Sequence, residues 1–171
     1  MDGRAPRTKM RRGPRSEAAH RMRSQPRCPI VVADDDAADR YLIQQAFEDS
    51  GVEGEVHFLE DGQVLVERLT RQLATSRVAE RLPCLILLDL NMPRMNGRDA
   101  LRIIKSHPEL KGIPIVVMTN SSNPDDVEGT YRDGANSYFT KPLSYSGLVD
   151  LVTLLKTYWL ETASLPTLAA R

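Results

Sequence analysis

Five short apolar runs recur along the chain, each followed by a polar cluster and then by apolar positions at helical spacing. Pro29-Ile-Val-Val-Ala33, Val56-His-Phe-Leu-Glu60, Leu85-Ile-Leu-Leu88, Pro114-Ile-Val-Val-Met-Thr119 and Asn136-Ser-Tyr-Phe-Thr140 read as strands. The third is continuously apolar, the signature of a strand buried on both faces of a parallel sheet. Helical spacing predicts helices over about 37–50, from about 63 onward, and over 97–106, 124–133 and 144–160, with Gly51 and Gly134 as stops and Pro124 in a first turn. The fourth helix is short and poor in apolar residues, so it should be only marginally stable. Five strand–helix repeats with right-handed crossovers predict an α/β fold, a doubly wound five-stranded parallel sheet with five helices.

Residues 70–82 are polar and Arg-rich and lengthen the second connection beyond what a βαβ unit needs, as an extended helix or a loop. The last helix carries Leu148, Leu151, Val152, Leu154, Leu155, Tyr158 and Trp159. This apolar face is broad for one surface helix, and either packs wholly on the sheet or is partly shared with a second copy.

The first strand ends in Asp34-Asp35-Asp36, the third in Asp89, the fourth in Thr119, and the fifth runs into Lys141-Pro142. In open α/β sheets ligands bind at this carboxyl edge. Adjacent acids repel, so the triplet is either an N-cap cluster or a hard-cation site. A second strand-end acid at Asp89 favours the cation. Carboxylates that hold Mg²⁺, a hydroxyl and an ammonium suit phosphoryl transfer onto an aspartate. A phosphohydrolase would need a further acid near Asp89, whereas position 91 is Asn.

Composition narrows the classes. A hydrophobic fraction of 41% supports a core, and no apolar run reaches the roughly 20 residues of a membrane span. With no signal segment, a cytoplasmic protein is expected, and Cys28 and Cys84 are expected to be reduced. A net charge of zero conceals an asymmetry: residues 1–27 hold nine bases and two acids, the remainder fourteen bases and twenty-one acids. The head lacks apolar periodicity and reads as a disordered basic extension, with no aromatics interleaved for base stacking.

The motifs Val-Val-Ala-Asp-Asp-Asp at 31–36, Leu-Leu-Asp-Leu-Asn-Met-Pro-x-Met-Asn-Gly at 87–97, Met-Thr-Asn at 118–120 and Tyr-Phe-Thr-Lys-Pro at 138–142 resemble those of response-regulator receiver domains of two-component signalling. The resemblance implies a flavodoxin-like sheet of order 2-1-3-4-5 and a receiver domain over 28–160, with 161–171 as a tail. It implies Asp89 as phosphoacceptor, and Mg²⁺ held by Asp34, Asp35, Asp89 and the Asn91 backbone carbonyl. Thr119 and Lys141 would contact the phosphoryl group, and Tyr138 would turn inward as Thr119 is drawn to it. The Lys141–Pro142 bond would be cis. The phosphodonor would be a sensor histidine kinase or a histidine phosphotransfer protein. The long second connection, the 91–97 loop and the Tyr-Trp-Leu end of the last helix resemble stand-alone regulators that work with phytochrome-type kinases. Too few residues follow 160 for an output domain, so the output is expected to be a protein contact or onward phosphoryl transfer, with no turnover of a separate substrate.

Overall fold

The computed structural model describes residues 29–74 and 81–166. The basic extension, Cys28, the stretch 75–80 and residues 167–171 lie outside the described residues. The strands are β1 (Ile30–Ala33), β2 (Val56–Leu59), β3 (Leu85–Leu88), β4 (Ile115–Thr119) and β5 (Ser137–Thr140). Between and after them run α1 (Ala37–Asp49), α2 (Gly62–Ala74), α3 (Gly97–Ser106), α4 (Pro124–Arg132) and α5 (Tyr145–Leu155). The strands form one parallel sheet of order β2-β1-β3-β4-β5, as expected.

Strand side chains alternate between faces, and the core divides accordingly. Val31, Ala33, Ile86, Leu88 and Val117 pack with Leu65 and Leu69 of α2 and Ala100, Leu101 and Ile104 of α3. Ile30, Val32, Leu85, Leu87, Val116 and Met118 pack with Ile43, Ala46 and Phe47 of α1 and Leu148, Leu151, Val152 and Leu155 of α5. Strands β1, β3 and β4 are buried on both faces, which explains their uninterrupted apolar runs. The outer strands β2 and β5 are half-buried and carry His57 and Ser137.

Among the described residues, the second helix takes in residues 70–74 of the polar connection. The last helix runs beyond the expected boundary at 160. Its α-helical turns end at Leu155 and widen into a π-helical segment, Lys156–Thr162, where the Thr162 hydroxyl donates to the Thr157 carbonyl at 2.7 Å. The Lys156 ammonium donates to the Ser50 carbonyl at 3.1 Å and fixes this segment against the end of α1. Among the described residues no helix is long and apolar enough to cross a membrane.

One expectation is corrected. No cis peptide bond occurs among the described residues, so the bond before Pro142 is trans. Trans is the lower-energy isomer of an X–Pro bond by about 0.5–1 kcal/mol, and the Lys141 side chain reaches its partners from it.

Candidate functional site

The sheet fixes where the acids fall. Ala33 of β1 is in register with Leu88 of β3, so the next residues, Asp34 and Asp89, emerge side by side on adjacent central strands. Here the chain order reverses between β1 and β3, the position at which open α/β sheets form a ligand crevice. Backbone bonds hold both acids: the Asp89 amide donates to the Ala33 carbonyl at 2.9 Å and the Asp34 amide to the Leu59 carbonyl at 3.0 Å.

The acidic triplet divides its labour. Asp36 is the N-cap of α1 and accepts from the amides of Ala38 and Asp39, bonds that hold its carboxyl below the usual carboxylate range. Asp34 is buried, and Asp35 is exposed. Oxygen atoms of Asp34, Asp35 and Asp89 all lie within 4.8 Å of one another. Three hard oxygen donors, one of them open to water, suit a divalent cation that keeps part of its hydration shell.

Lys141 sits over this cluster. Its ammonium lies 2.8 Å from Asp34 Oδ2, 2.6 Å from Asp39 Oδ2 and 2.8 Å from Asp89 Oδ2. Burial alone would lower its pKa, but the hydrogen bonds to Asp34, Asp39 and Asp89 outweigh burial and raise it. For Asp34 burial is the larger influence and raises its carboxyl above the usual value, against the opposing hydrogen bond from Lys141. Asp39 is a member of this cluster that the motifs do not reveal. It lies in the first turn of α1, where an acid is already accounted for by the helix dipole.

Thr119 ends β4 on the same edge. It is fully buried, and its hydroxyl has no hydrogen-bond partner. Buried hydroxyls are rarely left so. The Lys141 amide donates to the Thr119 carbonyl at 2.8 Å, tying the two strand ends together. Tyr138 of β5 is half-buried. Its hydroxyl donates to the Ser121 carbonyl in the β4–α4 loop at 2.8 Å, and burial pushes the phenol up.

The loop after Asp89 is braced from two sides. The Asn91 amide donates to Asp89 Oδ1 at 3.2 Å, curving the backbone back over the carboxylate. The Arg94 guanidinium pairs with buried Asp61 and with Glu60, 3.1 Å away, joining the loop to the β2–α2 turn. Arg94 itself is left-handed, with φ of 61°. Gly97 donates its amide to the Leu90 carbonyl at 2.9 Å and lies so near the Asp89 carbonyl that a Cβ there would overlap it. Glycine at 97 is therefore required by the approach of two backbone segments, not by its dihedral angles.

A parallel sheet of this order, with clustered acids, a buried hydroxyl and an ammonium at its switch point, defines a receiver module of phosphorelay signalling. The chain belongs to the response regulator receiver domain family, whose model matches residues 30–153. It is 38% identical over 143 residues to response regulator Rcp1 of Synechocystis sp., covering 84% of this chain and 96% of that protein. The Mn²⁺-bound crystal structure of Rcp1 superposes with a TM-score of 0.73, covering 82% of this chain and 99% of that one. The phosphorylated cyanobacterial phytochrome response regulator RcpA is 42% identical, with a TM-score of 0.75, covering 83% of this chain and 100% of the other.

Proposed function

We propose that Asp89 is the phosphoacceptor of this receiver domain and that Thr119, Lys141 and Tyr138 respond to the phosphoryl group. The observation that carries this reading is the buried, unpartnered Thr119 hydroxyl on the same sheet edge as the Asp34–Asp89–Lys141 cluster. A phosphoryl oxygen is the acceptor it lacks. An Asp89 carboxylate oxygen forms a bond to phosphorus while the bond from phosphorus to the donor's imidazole nitrogen breaks, its electron pair returning to the ring. Asp34, Asp35, Asp89 and the Asn91 backbone carbonyl would hold Mg²⁺, which neutralises phosphoryl charge when bound. Lys141 pairs with an oxygen of the transferred group, and Thr119 donates its hydroxyl to another. The movement of Thr119 pulls the β4–α4 loop and opens space for the Tyr138 ring. The cycle consists of the domain's own phosphorylation and dephosphorylation, with no turnover of a separate substrate.

The donor is a sensor histidine kinase, of phytochrome type given the likeness to RcpA, or a histidine phosphotransfer protein, and the setting is cytoplasmic. Residues 28–160 constitute the receiver domain, its last helix extending two residues further to Thr162, between a basic extension over 1–27 and a tail that follows the helix. The test is intact and peptide mass after incubation with acetyl phosphate. A Mg²⁺-dependent phosphoryl adduct on the peptide containing Asp89 supports the reading. An adduct on another residue, or none with folded protein and intact donor, refutes it.

A homodimer through α5 is a separate part of the proposal. Leu154 of α5 and Tyr158 of the π-helical segment that continues it are 54% and 55% exposed. Sedimentation velocity before and after phosphorylation is expected to show a dimer in at least one state. A monomer in both excludes it.

A further inference from the structure

Helix α3 opens with two residues that face different parts of the molecule. Gly97 lies against the Asp89 backbone, as described above. Arg98 reaches to the end of α4, where its Nε donates to Oδ2 of the C-cap residue Asp133 at 2.8 Å. One turn later, the Arg102 Nε lies 3.1 Å from the same oxygen. The Arg98 guanidinium crosses α4 over Gly129, so closely that the three atoms nearest to a Cβ at 129 would all be guanidinium atoms. These bonds, led by the one from Arg98, hold the Asp133 carboxyl below its usual range. Gly129 thus leaves the gap that the arginine fills.

The rest of α4 is weakly held. Of its nine residues only Gly129 and Thr130 are buried, neither with a large apolar side chain, and the Thr130 hydroxyl has no partner. The Tyr131 hydroxyl accepts from the Tyr138 amide at 3.2 Å, and the Ser121 hydroxyl donates to Asp126 at 2.6 Å. Four loop residues separate α4 from Thr119. Whatever moves Thr119 therefore pulls on a helix whose main charged attachment is to α3.

We propose that Arg98, lying across Gly129 and bonded to Asp133, is a positioning residue that clamps α4 in its unphosphorylated arrangement, so that phosphorylation works against the clamp. The inference rests on the reading of Asp89 as phosphoacceptor. It couples the helix that begins at the acceptor loop to the helix that follows Thr119, through a charge-assisted contact that a shift of α4 must break.

The test uses the full chain with Arg98→Ala, Gly129→Ala, Asp133→Asn and the double variant R98A/G129A. Hydrogen exchange of α4 amides is expected to quicken about tenfold in each single variant, with β1 and β3 unchanged. Phosphorylation by acetyl phosphate with Mg²⁺ is expected to quicken about fivefold, because the clamp no longer has to be broken on the way to the phosphorylated arrangement and the barrier is lower. Gly129→Ala is the decisive variant. Alanine is the better helix former, so α4 should become more protected unless the added methyl expels Arg98. In the double variant no guanidinium remains to be expelled, and the alanine at 129 should restore α4 protection relative to Arg98→Ala alone. Unchanged or slower α4 exchange in Gly129→Ala overturns the proposal, as do unchanged phosphorylation rates in the three single variants. A wild-type chain that takes up no phosphoryl group refutes the acceptor reading, and the clamp's role falls with it. A phosphorylated wild type with unaltered variants refutes the clamp alone.

Discussion

Asp89→Asn is expected to abolish phosphoryl incorporation while leaving the domain folded, and to reverse its stability ranking against wild type when Mg²⁺ is added. The amide has no charged oxygen with which to attack phosphorus, so the loss of chemistry should be complete within the sensitivity of intact-mass detection. The stability effect follows from the charge count around Lys141. One ammonium there serves three carboxylates, those of Asp34, Asp39 and Asp89. Like charges so placed repel, and removing one of them relieves the others. Asparagine keeps the shape of the side chain and one oxygen, so it retains one of the two bonds that Asp89 accepts, from the Asn91 amide on Oδ1 and from Lys141 on Oδ2, and Lys141 keeps Asp34 and Asp39 as partners. Without divalent metal, urea denaturation should therefore place the variant level with wild type or above it, by on the order of 1 kcal/mol. With Mg²⁺ the order inverts. Wild type gains about 2.7 kcal/mol when the metal is at a hundred times its dissociation constant, and the variant, having lost a ligand, gains much less. A variant markedly less stable without metal would mean that the Asp89 charge supports the fold, and would remove the argument from repulsion. A variant equally stabilised by Mg²⁺ would exclude Asp89 as a ligand.

The fold was legible because each strand announces itself and each strand end differs from its strand. Ile30–Ala33, Leu85–Leu88 and residues 115–118 are apolar throughout because helices cover both sheet faces, and such runs have few other readings. The acids that close β1 and β3 needed only the sheet order to meet, and the register of Ala33 with Leu88 brings them together. What stayed hidden falls under two physical headings. Some residues have a sufficient local explanation that masks a distant one. Asp39 reads as a first-turn acid, and only its 2.6 Å contact with Lys141, 102 residues away in the chain, shows otherwise. Asp61 reads as half of an Asp-Gly turn, but it is wholly buried beneath Arg94. Other features depend on the balance of neighbouring packing, which no motif carries. The trans bond at Pro142 and the widening of the last helix beyond Leu155 are of this kind. The span from Arg98 across Gly129 to Asp133 joins two helices through a missing side chain, and a glycine within a weak helix gives no sign of what fills its gap.

Lys141→Met carries the largest expected cost to the fold. Methionine preserves the length and apolar body of the lysine stem and removes only the ammonium. That ammonium is the cation shared by Asp34 and Asp89, whose side chains are 2% and 6% exposed. Removing one partner of a buried ion pair leaves an uncompensated charge and typically costs about 3–5 kcal/mol, so urea denaturation at neutral pH should show a loss of that size. The pH dependence gives the sign. Burial already holds the Asp34 carboxyl above its ordinary value of 3.8 in the folded chain, and loss of Lys141 raises it further. A group with a raised folded pKa binds a proton more readily when folded. Its contribution is therefore most favourable below the unfolded value and declines as pH rises through the folded one. The deficit of the variant should be greatest at neutral pH and narrow on acidification toward 3.8, as Asp34 takes up a proton. Mg²⁺ should narrow it too, by a different route: a dication among Asp34, Asp35 and Asp89 restores positive charge to the cluster, so the metal should stabilise the variant more than wild type. Phosphorylation should not be rescued to the same degree. On the proposed reading the metal and the Lys141 ammonium would each neutralise part of the phosphoryl charge, and losing one preorganised donor costs about 10²–10³-fold in rate. A deficit below about 1 kcal/mol that ignores both pH and Mg²⁺ would show that Lys141 is not the charge on which the buried acids depend.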